Sequence, residues 1–102
     1  METTTIAQRL ENEMYDQCEK IKELVIGYNP SYYKNMIREN GGLNAAFKLL
    51  TAEKLSEGFI TLIERGHYQL TLEYLILTDN EFQTLFDGQI LKNAERKLRG
   101  LI

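Results

Sequence analysis

Between Thr5 and Val25 the apolar side chains fall at Ile6, Leu10, Met14, Cys18, Ile21 and Val25, at spacings of 4, 4, 4, 3 and 4. This is the one-sided stripe of an amphipathic helix. Ala7, Leu24 and Ile26 widen the stripe. A hydroxyl from Thr3, Thr4 or Thr5 can cap its start, and Gly27 suits its end. About twenty-one residues at 1.5 Å each make a rod of roughly 30 Å. That is long for a chain of 102 residues. Two arrangements satisfy it. The whole stripe packs on its own domain, or part of it pairs with a second copy through Ile6, Leu10, Met14, Ile21 and Val25. The second arrangement makes residues 1–27 a long N-terminal helix and oligomerisation arm, and residues 28–102 a compact helical domain.

Caps and breakers then divide the rest of the chain. Asn29 suits an N-cap and Pro30 the first helical position. The helix they open carries Tyr33, Met36 and Ile37 inward and stops at Gly41-Gly42. A short helix through Leu43, Ala46, Phe47, Leu49 and Leu50 follows. Ser56 caps a stripe of Phe59, Leu62 and Ile63 that ends at Gly66. Thr71 opens a nearly continuous apolar run through Leu77, expected at the centre of the core. Asp79 and Asp87 start the last two helices, the final one carrying Ile90, Leu91, Ala94, Leu98 and Leu101. Strands at 59–63 or 69–77 compete on periodicity alone, but each would lack a partner. The prediction is an all-α bundle of five to seven helices with a long N-terminal amphipathic helix.

Composition narrows the function classes. One Cys excludes an internal disulfide, and a single His leaves no zinc-type ligand cluster. The apolar runs are far shorter than the ~20 residues a bilayer requires. The acids and Arg9 spread through the first twenty residues leave no signal-peptide core, so a cytoplasmic chain is expected. A net charge of -3 argues against a dominant nucleic-acid footprint. Lys92, Arg96, Lys97 and Arg99 cluster near the C-terminus, where bases complement a helix end.

From Tyr28 onward the chain resembles a family of small uncharacterised bacterial and phage-borne proteins. The residues that carry the resemblance are Tyr28-Asn29-Pro30, Gly41-Gly42, Ala45-Ala46, Gly58-Phe59 and Leu70-Thr71-Leu72-Glu73, with Leu85-Phe86. It implies an accessory or interaction role and supplies no catalytic residues. His67-Tyr68-Gln69 departs from the pattern where Arg-Leu-Asp is commoner.

Candidate chemistry is sparse. Cys18 lies on the apolar stripe, which marks an inert buried thiol. His67 sits in a connector, Glu73 is accounted for by helix-start electrostatics, and no phosphate-cradling loop is present. The chain therefore reads as non-enzymatic, without cofactor or metal. Its function is expected to be that of an interaction module, an accessory or inhibitory protein of a phage, mobile element or bacterial defence context, with a protein partner or a second copy of itself. The competing reading is nucleotide or nucleic-acid binding, with Tyr32 and Tyr33 as stacking rings, Lys34 and Arg38 as positive charges, and His67 nearby.

Overall fold

The computed structural model describes residues 5–99, and every element among them is helical. Seven α-helices follow one another in this span: α1 (Ile6–Leu24), α2 (Ser31–Asn40), α3 (Gly42–Thr51), α4 (Glu57–Glu64), α5 (Leu72–Leu77), α6 (Asn80–Gln83) and α7 (Gly88–Leu98). A 3₁₀ turn at Tyr68–Leu70 joins α4 to α5. Among the described residues no helix is long and apolar enough to cross a membrane. The helical alternative therefore holds at both segments where a strand competed.

Side-chain caps fix most of the starts. Thr5, Ser56, Thr71 and Asp87 each accept from the backbone N–H three residues on, and Asp79 accepts from those of Glu81 and Phe82. Each bond satisfies a donor that the helix itself leaves orphaned. Helix α2 begins one position later than expected: Pro30 occupies the cap, and Asn29 Oδ1 accepts from the Ser31 N–H at 3.1 Å. Gly41 turns the chain between α2 and α3 at φ +82°, a conformation that side chains with a Cβ rarely adopt.

Helix α1 packs along its length on the rest of the chain. Leu10, Met14 and Cys18 are fully buried in the main core with Ile37, Ala45, Ala46, Leu50, Ile76, Phe82 and Ala94. Ile21 and Val25 form a second cluster with Leu62 and Leu70. At nineteen residues, about 28 Å, α1 lies within a body whose longest axis is 40 Å. The stripe thus packs on its own chain. Of the residues expected at a seam between copies, Leu10, Met14, Ile21 and Val25 are buried in these cores and Ile6 packs half-buried beside them. The faces that cover the stripe are those of α2, α3, α6 and the 3₁₀ turn.

Polar contacts tie the far end of the bundle to α1. Arg9 reaches both Asp79 oxygens at 3.1 and 3.2 Å and Glu81 at 2.9 Å, and its guanidinium lies 4.2 Å from the Phe82 ring centre. Arg9 thereby holds the Asp79 carboxyl below its ordinary pKa.

Candidate functional site

The start of α2, the connector before α4, α4 itself, the Leu70–Glu73 stretch and Lys97 of α7 surround a cavity of about 550 Å³. That volume is in the range of small-molecule sites, ~300–1,000 Å³.

One polar residue on the α1 stripe, behind the lining, ties Tyr33, Leu70 and Thr71 of that lining together. Gln17 stands seven residues after Leu10 and four before Ile21, and it is buried. Its Nε2 donates to the carbonyls of Leu70 at 3.1 Å and Thr71 at 2.9 Å, while its Oε1 accepts from the Tyr33 hydroxyl at 2.7 Å. A single amide thus joins α1, α2 and the entry to α5. Burial raises the Tyr33 hydroxyl well above its ordinary pKa, and the nearby Glu73 adds to the effect.

Beside this amide lies a buried ion pair. Glu73, in the first turn of α5, and Lys97, near the end of α7, are 6% and 7% exposed and stand 3.5 Å apart. Lys97 also donates to the Leu49 carbonyl at 2.9 Å, one of the four that the end of α3 leaves without an intrahelical partner. Burial pushes the Glu73 carboxyl up against the opposing pull of Lys97. Both side chains line the cavity.

The walls are mainly aromatic and aliphatic, with the exposed Lys54 and Glu57 also in the lining. Tyr28, Tyr32, Tyr33, Leu55, Phe59 and Leu62 line them. Tyr28 lies so close to α4 that a Cβ on Gly58 would stand 2.5 Å from its hydroxyl oxygen, so this glycine makes room for the ring. Burial raises the Tyr28 pKa, and Glu57 contributes. Tyr32 is 71% and Leu55 38% exposed, which leaves both open to solvent at the cavity.

The residues singled out in the sequence divide at this site. Tyr32 and Tyr33 line the cavity; Lys34, Arg38 and His67 do not. Lys34 faces Glu19 at 3.5 Å, and Arg38 donates to Asn35 at 2.7 Å. His67, half-buried, begins the 3₁₀ turn, where its carbonyl accepts from the Leu70 N–H. This cavity therefore gathers the two rings without the two cations expected to flank them. Cys18 is buried in the core, and desolvation pushes its thiol up to about 11. Glu64 is exposed at the end of α4, while Glu73 is enclosed.

Glu73 and Lys97, which line the cavity, and Gln17, which supports it, are residues that sequence reasoning does not bring together. Two of them carry a signal: Gln17 falls on the α1 stripe, and Lys97 stands seven residues after Ile90, on the stripe of α7. A polar residue on a core-facing position needs a buried partner. In the sequence Lys97 reads as one of four bases serving the end of their own helix. It does serve a helix end, but that of α3. Comparisons with protein-family models, curated proteins and solved structures give no match to this chain.

Proposed function

We propose that the chain is a small non-enzymatic binding module of the accessory or inhibitory kind, and that it acts by holding a ligand in the cavity beside Glu73 and Lys97. One observation carries this reading: the cavity has apolar walls and a few convergent polar groups at its floor, the composition of a recognition site. Hydrogen bonds tie the lining together: Gln17, behind it, joins Tyr33 to Leu70, and Lys97 joins Glu73 to the Leu49 carbonyl. A partner protein would engage the same place through Tyr32 and Leu55, the exposed apolar residues at the cavity.

The test is a chemically mixed fragment library screened by amide NMR on the full chain. Hits are expected to shift residues 28–33, 54–59 and 70–73, and to be lost in Tyr32→Ala with Leu55→Ala. Both of these side chains are exposed, so the double variant retains the fold. Absence of hits, or hits that the double variant binds equally well, would overturn the reading.

A further inference from the structure

Resting on that reading, we infer that the cavity takes a flat, uncharged heteroaromatic ring whose edge carries N–H donors beside a carbonyl acceptor, the lactam edge of guanine being the fullest match.

The ion pair sets the polarity of the floor. A carboxylate offers about four acceptor sites, and the short form of a charge-assisted N–H···O contact is about 2.7–2.9 Å. The Glu73 carboxylate accepts from its own backbone N–H and from Lys97 at 3.5 Å, which leaves about two of those sites for a ligand. The Lys97 ammonium has three donors, one of them spent on the Leu49 carbonyl. The floor therefore presents an acceptor beside a donor, with no net charge.

Ligand charge decides the next step. An anion on Lys97 would face the carboxylate, and a cation on Glu73 would face the ammonium. A zwitterion, such as a free amino acid, matches both signs but must bring two full charges out of water into an enclosed site, which is expensive. A neutral edge with donors for Glu73 and an acceptor for Lys97 meets both without that loss.

The walls favour a ring. Tyr28, Tyr32 and Tyr33 line the cavity, and stacking on aromatic side chains suits any flat base. Guanine places two N–H groups beside a carbonyl oxygen, so one edge can give both donors to the Glu73 carboxylate while its oxygen accepts from Lys97. The cations expected from sequence to hold phosphate, Lys34 and Arg38, lie outside this cavity, and the exposed Lys54 and Glu57 of its lining oppose each other in sign, so recognition rests on the base itself.

Titration calorimetry with the full chain tests the inference. Guanosine should bind, inosine about ten-fold more weakly for one lost N–H, and purine riboside, which lacks the donors, more weakly still. Tyr32→Ala, an exposed position, should cost at least about five-fold in guanosine affinity. Glu73→Gln should abolish the preference for guanosine over purine riboside; if that variant does not fold, the Tyr32→Ala result and the nucleoside order decide. A five-nucleotide strand with a single guanine distinguishes sources: tighter binding than guanosine points to single-stranded nucleic acid, equal or weaker binding to the free nucleoside or nucleotide, and either supports the shared chemistry. Equal binding of guanosine and purine riboside, stronger binding of phenylalanine or phenethylamine, or no guanosine binding would overturn the inference. Should fragments of other chemistry still occupy the cavity, the binding-module reading stands without it.

Discussion

Replacing Gly42 by alanine probes a very close approach of two helices in this chain. Gly42 is the first residue of α3, and its N–H donates to Glu11 Oε1 of α1 at 2.7 Å. A Cβ built on it would stand 2.6 Å from the Glu11 Cβ and 2.7 Å from the Glu11 Cα. Carbon atoms pack at about 3.5–4.0 Å, so α1 and α3 would have to part by roughly 1 Å. Overfilling a packed interior costs about 1–3 kcal/mol, and the stretched charge-assisted hydrogen bond adds to it. We expect a loss of about 2 kcal/mol, or about 8–16 °C in Tm for a domain of this size. Truncating Glu11 to alanine should not rescue the variant, because the two Glu11 carbons that crowd the new methyl group both remain. Gly88→Ala is the control. Gly88 begins α7, and nothing lies within 4 Å of its added Cβ. Alanine there reduces the freedom of the unfolded chain and should stabilise by about 0.4–1 kcal/mol. Thermal unfolding by circular dichroism measures all three variants. A Gly42→Ala protein that melts at or above the parent temperature would refute the helix approach on which the reasoning rests.

Three further outcomes follow from the packing and the shifted groups. Leu10→Asp with Ile21→Asp should unfold the chain, because two carboxylates in its cores cost a large part of a typical stability of about 5–15 kcal/mol; a well-folded double variant in light scattering and circular dichroism would return the stripe to an interface between copies. Cys18, with its thiol at about 11 instead of 9.0, should carry about a hundred-fold less thiolate at pH 8 than a free thiol, and react with a disulfide reagent only as the chain unfolds. Rapid labelling in the native state would contradict its burial. Asp79→Asn keeps a capping side chain but removes the charge that Arg9 holds. Because the folded Asp79 pKa lies below its ordinary 3.8, the stability from this group is present above that value and lost as pH falls through the folded one. The parent should therefore out-melt Asp79→Asn at pH 6, and the gap should close in acid; a gap independent of pH would assign the effect to capping alone.

Helix positions are legible in the sequence because their causes are local. Thr5, Ser56, Thr71, Asp79 and Asp87 act within three residues of themselves, and the stripe of α1 is a matter of spacing. The candidate site is half legible. Tyr32 and Tyr33 stand out, since aromatic residues beside an Asn-Pro turn are conspicuous in any chain. Lys34 and Arg38 group with them by proximity along the sequence, but a helix turns neighbours onto different faces, and these two reach Glu19 and Asn35.

By itself the amino-acid order determined a chain of helices, their starts and stops, and which face of each is apolar, because capping and periodicity depend on residues within a turn or two. Only the tertiary structure decided what covers the α1 stripe and what lies together at the cavity. Gln17 meets Leu70 and Thr71 across 53 and 54 residues, and Lys97 meets the Leu49 carbonyl across 48. Glu73 and Lys97 come from helices that pack on one another, and their charges acquire meaning as a pair only when both leave water together.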